Sequence, residues 1–485
     1  MIPPLDELIA VIRQMNPWWR GAQIADLPIW RRAAFRELFS WILNPPTHRA
    51  LLLSGARQIG KTTLLLQAIE ALLQEKIPPA NIIYVTFDHP LLKLLTPDEV
   101  LKIWRQIETA VPGVEYVFFD EIQYMPNWQV WLKHQTDFEK HRRITATGSA
   151  TPLNTELQES GVGRWHTINL ATLSFFEYTT LKNIRIPELP GFRSLSAFFE
   201  MPKADLSAIS FIAEPLTGIF HDYLLRGGFP ETAKVDSLTV AQKLLREDIV
   251  DKVLKRDMTA LYGVRRVREL EQVFLYLCLH DGGLLDIKTL CDNLTDIKKP
   301  TALNFINLLE ATHLIYLLKP HGYGKEILRG KPKAYLADPA IAHAVLMRGK
   351  TMLEDERQLG KTVETAVFRH IYARYYRQSV DFSYWRGRGN KAPEVDIIAE
   401  IEGRIRPFEV KYQRRINRDD FKGLIEFGKL KHLDRGYMIT RNMNDFFVAE
   451  FDGYKILQIP APLACYWLGK SEMIDEQGNE PWQSK

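Results

Sequence analysis

Cysteine is scarce. The 485-residue chain has three, Cys278, Cys291 and Cys465, far apart in sequence. They make neither a metal-ligand pair nor a disulfide framework, which argues against a zinc ribbon and a disulfide-stapled secreted scaffold. A reducing, cytoplasmic setting is the expectation. No stretch approaches the roughly 20 consecutive apolar residues that cross a bilayer, and no apolar signal core opens the chain, so no membrane partner is expected. An excess of one charge is missing too. Lys and Arg number 63 against 59 Asp and Glu, a net charge of +4. That total neither demands nor excludes a polyanionic partner, so charge has to be read locally. Internal repeats and long low-complexity tracts are absent. What is present is an ordinary globular composition, 46% hydrophobic and 25% charged. The length calls for about two to four domains.

One stretch organises the rest. Ala50-Leu51-Leu52-Leu53-Ser54 is an apolar run. Gly55-Ala56-Arg57-Gln58-Ile59-Gly60-Lys61-Thr62-Thr63 comes next, and then an apolar-periodic run from Leu64 to Leu73. This is G-x-x-x-x-G-K-[ST] between a strand and a helix, the P-loop pattern. A loop that wraps a triphosphate needs backbone N–H groups pointing inward, and Gly55 and Gly60 allow that approach. The helix N-terminus adds partial positive charge. Lys61 reaches the β- and γ-phosphates, and the Thr62 hydroxyl ligates Mg²⁺. ATP and Mg²⁺ are therefore the expected cofactors, with residues 55–63 as the nucleotide cradle.

Downstream, Val114-Glu115-Tyr116-Val117-Phe118-Phe119-Asp120-Glu121 is an apolar run ending in two acids. Asp120 is expected to hold Mg²⁺, and Glu121 to orient and deprotonate the attacking water. The earlier strand Asn81 to Asp88 also ends in an acid, which either supports the metal or caps the next segment. Arg142 to Ala150 reads as a further strand ending in small hydroxyl residues, with Thr147 and Ser149 as candidates to sense the γ-phosphate. Arg164 then has two readings. It is a catalytic finger on a neighbouring subunit's nucleotide, or it pairs with a carboxylate. In the segment before the first strand, Trp18 and Trp19 are either apolar anchors or contacts for a base or a second subunit.

Those motifs, with Phe119-Asp120-Glu121-Ile122-Gln123 and Thr147-Gly148-Ser149, resemble the prokaryotic AAA-type ATPases that carry a C-terminal domain of unknown function. Leu173-Ser174-Phe175-Phe176-Glu177-Tyr178 and Tyr223 to Glu231 match further motifs of that family. The resemblance spans most of the chain. It implies a helical lid after the sheet. In related signalling ATPases a Gly-x-Pro of the lid lies near the adenine. Gly228-Phe229-Pro230 is the matching stretch, which makes Pro230 a candidate cofactor contact and Arg226 a candidate second sensor. Residues 181–214 depart from the compact family pattern as a Pro-rich, weakly patterned insertion.

Beyond a charged, periodic helix at 232–260, three helical patterns and two β-like runs, Leu314–Leu318 and Lys333–Leu336, spell a winged helix. Lys325, Arg329 and Lys331 form its basic tip, for DNA or for protein contacts. The last segment carries Glu364 on a helix, Asp396 in mid-strand, and Glu409-Val410-Lys411 on the next strand. In E-x-K the acid and the lysine share one face of the strand. Asp396 and Glu409 can share a metal, with Glu364 and Lys411 beside them. This arrangement resembles the PD-(D/E)xK nuclease fold, kept either for cleavage or for binding alone. Arg386, Arg388, Lys391, Arg404, Arg406, Arg414, Arg415 and Arg418 surround it.

The expected fold class is α/β. The arm spans 1–48, the P-loop core 49–170, the helical lid and linker 171–260, the winged helix 261–345 and the nuclease-like domain 346–485. The expected function is an ATP-hydrolysing AAA-type protein acting on duplex or branched DNA as a homo-oligomer, in a hexamer-like ring. A nucleotide-gated signalling switch and an ATP-licensed, metal-dependent nuclease are the alternatives.

Overall fold

Five short strands build the first sheet, and the runs Ala50–Ser54, Ile82–Thr86 and Glu115–Asp120 are mostly apolar. In the computed structural model the described residues are 4–149, 163–192, 194–294, 296–322, 330–378, 380–387 and 392–473. They fall into two compact units, Met1–Leu170 with Ala311–His313, and Ala171–Glu310 with Leu314–Lys485. The strands of the first unit are β1 (Ala50–Ser54), β2 (Ile82–Thr86), β3 (Glu115–Asp120), β4 (Arg142–Gly148) and β5 (Trp165–Asn169). Their order is β2-β3-β4-β1-β5, all parallel. Every residue of β1 and β3 is buried, as expected of parallel strands covered on both faces. Helices Lys61–Gln74, Pro97–Ile107 and Trp128–Phe138 connect them. The second of these starts with a capping box, in which Thr96 and Glu99 satisfy each other's backbone N–H. Leu52, Val85, Phe119, Trp104 and Leu132 meet in the core.

β2 is an edge strand, and edges carry unpaired backbone groups. The N-terminal arm covers this one. Asn16 accepts from the Tyr84 N–H at 2.7 Å and donates to the Tyr84 carbonyl at 2.8 Å. The indoles of Trp18 and Trp19 donate to the Ile82 carbonyl at 3.2 and 2.9 Å. The two tryptophans are anchors of the arm on its own unit.

The second unit begins with helices Phe175–Leu181, Lys203–Ala213, Leu216–Arg226 and Pro230–Lys234, and a helical run from Leu238 to Tyr262. The helix Lys203–Ala213 lies inside the stretch that looked weakly patterned. It has a buried stripe, Leu206, Ile209, Ser210 and Ala213. Exposed Phe211 and Ile212 blur that stripe in the sequence. Helices Val267–Leu279, Ile287–Asn293 and Lys299–Ala311 come next, the three helices that the patterns before the β-like runs called for.

The remaining strands are β6 (Gly283–Leu284), β7 (Ile315–Pro320), β8 (Lys333–Leu336), β9 (Val380–Arg386), β10 (Glu394–Ile401), β11 (Arg404–Lys411), β12 (Arg435–Thr440), β13 (Phe447–Phe451) and β14 (Tyr454–Pro460). They form one mixed nine-stranded sheet, ordered β13-β14-β12-β11-β10-β9-β7-β8-β6. β7 joins β9 through the pairs Lys319 with Ser383 and Pro320 with Tyr384. The sheet therefore runs across residue 346, where the sequence reading set a domain boundary. The tip residues Lys325 and Arg329, and Arg388 and Lys391 of the basic set, lie outside the described residues. Among the described residues, no helix is long and apolar enough to cross a membrane.

Candidate functional site

The parallel order puts the C-terminal ends of β1, β4 and β3 side by side, and the chemistry gathers there. β1 feeds the loop 55–60. Gly55 has φ +157°, and a Cβ on it would stand 2.3 Å from the Leu170 carbonyl oxygen, so only glycine fits. Gly60, at φ +92°, precedes the 14-residue helix Lys61–Gln74. The Lys61 ammonium is buried inside the loop and donates to the carbonyls of Gly55 and Ala56 at 2.9 and 2.7 Å. Arg57 donates to the Tyr124 hydroxyl at 2.5 Å.

Asp120 is the hub. Its Oδ2 accepts from the Thr62 hydroxyl at 2.7 Å and from the Tyr84 hydroxyl at 3.1 Å. Its Oδ1 accepts from the Thr147 hydroxyl. Three elements thus send hydroxyls to one buried carboxylate on β3. Burial, and then the neighbouring Glu121 charge, push its pKa upward, opposed by the hydroxyls of Thr147 and Thr62 and by Lys61. A hard oxygen pair, the Thr62 hydroxyl with the Asp120 carboxylate, suits Mg²⁺. The residues therefore fit the metal that the motif implies.

Glu121 leaves β3 in the left-handed region, at φ +54°. That conformation is sparsely populated for a residue with a Cβ. Here the Thr147 hydroxyl pins it by accepting from the Glu121 N–H at 2.9 Å. The Gln123 amide donates to the Glu121 carboxylate and, at 2.9 Å, to Ser149 Oγ. Ser149 Oγ lies 3.4 Å from the same carboxylate. Lys61, Thr62, Asp120, Glu121, Thr147 and Ser149 are all brought together. Gln123 and Tyr84 were missed as participants. The signal for Gln123 was its place two residues beyond the acid pair. Asp88 donates its N–H to Thr86 Oγ1 at 3.3 Å, a local turn. Arg164 Nε lies 3.0 Å from Asp137 Oδ1, both side chains partly exposed.

The other expected site residues belong to the second unit. Pro230 opens the helix Pro230–Lys234. Arg226 donates to Asp222 at 2.7 Å and to the carbonyls of Val235 and Asp236 at 2.5 and 2.8 Å. Two of the family-like motifs explain each other here. Ser174 and Glu177 form a capping box. The Leu173 N–H donates to the Gly228 carbonyl at 2.6 Å. A Cβ on Gly228 would meet the Leu173 carbonyl oxygen at 2.5 Å.

Glu364, Asp396, Glu409 and Lys411 also come together. Lys411 pairs with Glu409 Oε1, and Glu409 Oε2 accepts from the Asp396 N–H at 3.2 Å. Asp396 Oδ2 accepts from the Val410 N–H at 2.9 Å. A residue that the sequence reading left out sits among them. Lys333 of β8, fully buried, places Nζ 2.9 Å from Asp396 Oδ1, 2.5 Å from Glu394 Oε1 and 3.5 Å from Glu364 Oε1. Burial works to raise Asp396, but Lys333 and Lys411 outweigh it and hold that carboxyl below its ordinary value. Burial and the Asp396 charge raise Glu409 and Glu364.

Residues 47–179 match the model of a family described as an AAA domain. Over that stretch the chain is similar to an AAA domain. The match covers the P-loop, the acid pair and the hydroxyl-bearing strand, and it implies an NTP-binding site. C-terminal to that match, residues 217–352 and 359–462 match two domains of unknown function, DUF8612 and DUF4143. An uncharacterized protein of Haemophilus influenzae is 24% identical over 417 residues, 84% of this chain and 92% of its own. One from Methanocaldococcus jannaschii is 23% identical over 348 residues, 71% of this chain and 70% of its own. Among solved structures, the Aeropyrum pernix ORC1 protein in complex with DNA aligns with 67% of this chain and 95% of that one. Its identity is 13% and its TM-score 0.29.

Proposed function

We propose that the chain binds and hydrolyses ATP with Mg²⁺, and that an oligomer of it uses this cycle to act on DNA. The observation that carries the ATPase reading is the convergence on Asp120. One carboxylate takes hydroxyls from the P-loop helix and from β4, with Glu121 beside it and held by Thr147 and Gln123. Thr62 and Asp120 would hold Mg²⁺, which when bound neutralises phosphate charge. Lys61 and the N-terminus of its helix bind the β- and γ-phosphates. Glu121 orients the attacking water and accepts its proton. Gln123 and Ser149 keep that carboxylate aimed.

The DNA part rests on local charge, and on a C-terminal fold read as a helical lid, a winged helix and a nuclease-like sheet. Arg404, Arg414, Arg415 and Arg418 are exposed. Arg414 also stands 2.7 Å from Glu356. Exposed ion pairs are weak, so a phosphate can displace the glutamate. The test is the ATPase rate with single-stranded, duplex, forked and four-way DNA. Stimulation by one of these supports the proposal. Turnover that ignores every nucleic acid would favour a nucleotide-gated interaction switch instead.

A further inference from the structure

The carboxylate cluster of the second unit invites a divalent ion by its sequence, and its structure answers with a lysine. Three strands and a helix contribute. Lys333 and Tyr335 come from β8, Glu394 and Asp396 from β10, Glu409 and Lys411 from β11, and Glu364 from the helix Glu356–Tyr375. Lys333 and Tyr335 are two apart on a strand, so both reach the same face. The Tyr335 hydroxyl donates to Glu364 Oε1 at 2.6 Å, the oxygen that Lys333 also approaches.

At Lys333, Asp396 and Glu409 the donors and acceptors are already engaged with one another. An ammonium has three N–H donors. Lys333 has three carboxylates around it, from Asp396, Glu394 and Glu364. Both oxygens of Asp396 are engaged, Oδ1 by Lys333 and Oδ2 by the Val410 N–H. Both oxygens of Glu409 are engaged, by Lys411 and by the Asp396 N–H. A Mg²⁺ ion on Asp396 Oδ1 at the usual ~2.1 Å would stand no more than about 5 Å from the Lys333 nitrogen, itself 2.9 Å from that oxygen. Two like charges would then share one buried carboxylate. Among the described residues, no group of three or more His, Cys, Asp or Glu is arranged to hold a metal ion. Withdrawal of the lysine is also hindered. Lys333 pairs with Leu284 of β6 on one side and Leu318 of β7 on the other, so its strand is held at both edges.

We propose that the Lys333 ammonium is the resident cation of this cluster, seated where a divalent metal would bind, and that it makes the C-terminal sheet a metal-free binding scaffold. The residues that look like a nuclease motif then serve to tie β8 to β10 and β11 by charge. A lone buried lysine needs such partners, since an unpaired ammonium in the interior is very costly.

The test uses the full chain, free of nucleotide, and counts bound Mn²⁺ from the electron-spin resonance signal of the free ion. Asp396→Asn serves as the control that subtracts binding elsewhere, including at the P-loop. The natural chain should show no Mn²⁺ equivalent that depends on Asp396. Lys333→Met keeps the apolar stem and removes the ammonium, and it should gain one equivalent that is lost again in Lys333→Met with Asp396→Asn. An Asp396-dependent Mn²⁺ site in the natural chain would overturn the proposal, and that arm needs no lysine variant to fold. A folded Lys333→Met chain that gains no site would overturn it as well, because the lysine would then not be what keeps the metal out.

Discussion

At the scale of single residues, the ATP site divides its labour between groups that bind and groups that aim. Lys61 faces into the phosphate loop, whereas Glu121 faces Gln123 and Ser149. Lys61→Ala should therefore lose nucleotide affinity. Glu121→Gln should bind ATP and lose turnover by roughly 10²-fold or more, the usual worth of a general base. Affinity and turnover measured separately decide this, and a Glu121→Gln chain hydrolysing at the native rate would refute the role. Gln123 donates its amide to the Glu121 carboxylate. Gln123→Ala should lower kcat by about tenfold and change KM little, since only the aim of the base is lost. A change confined to KM would make Gln123 a binding residue. The site was legible in the sequence because its chemistry is local. Gly55, Lys61 and Thr62 lie within one loop, and Asp120 and Glu121 end one strand. Tyr84 was not legible, because its hydroxyl reaches Asp120 only once β2 lies beside β3.

At the scale of elements, two buried polar groups hold pieces of backbone in place. Asn16 closes the edge of β2 through both atoms of its amide. Asn16→Ala would leave the Tyr84 N–H and carbonyl without those partners, which costs about 1–3 kcal/mol per buried group. Thermal unfolding should shift down accordingly. An unchanged midpoint would mean that the arm does not protect this edge. Asp281 does the same for β8, accepting from the Leu336 N–H at 2.9 Å and from the Thr365 hydroxyl at 2.7 Å. Burial pushes its carboxyl up to about 6, against those two bonds and Lys361. The folded state therefore holds the proton more tightly than an unfolded chain, whose Asp titrates near ~3.9. Between about pH 4 and pH 6 folding binds the extra proton, so stability falls as pH rises through that window and stays lower above it. The loss is at most about 3 kcal/mol, given 1.36 kcal/mol per unit. Asp281→Asn keeps an oxygen to accept from the Leu336 N–H, turns the second bond round so that its amide donates to the Thr365 hydroxyl, and removes the charge. It should flatten the decline between pH 4 and 6 and raise the unfolding transition at pH 8. Equal destabilisation at pH 4.5 and pH 8 would sink this account. Here the sequence said less. The strands β7 and β8 and the three helices before them were readable from their patterns, because each is periodic within itself. Their union with β9 to β14 was not, since β7 meets β9 across more than sixty residues and by two pairs alone. Lys333 was hidden for the same reason. A lysine alternating with Tyr335 at the start of an apolar strand was the one available sign that its face is charged.

At the scale of the whole molecule, the open question is whether one chain completes its own ATP site. Arg164 was read as either a finger for a neighbour or half of an ion pair, and within the chain it stands 3.0 Å from Asp137. That pair is partly exposed, where such bridges are worth about 0–1 kcal/mol. A γ-phosphate in a neighbouring subunit offers a far stronger, charge-assisted partner. The two roles separate by comparing the partners. If the pair is only structural, Asp137→Ala and Arg164→Ala should lower turnover by similar, small amounts. If the arginine works in trans, Asp137→Ala should leave turnover near native while Arg164→Ala removes most of it, by about 10³-fold or more on the scale of such fingers. Mixing gives the sharper result. An Arg164→Ala subunit keeps its own Lys61, and a Lys61→Ala subunit keeps its own Arg164. At an interface between the two, one intact site forms from the good lysine of one chain and the good arginine of the other. Activity should then rise from near zero in either variant alone to a maximum in an equal mixture. That rise requires two chains per site. Its absence in mixed oligomers verified by mass would leave Arg164 with Asp137, and the ATP site complete within one chain.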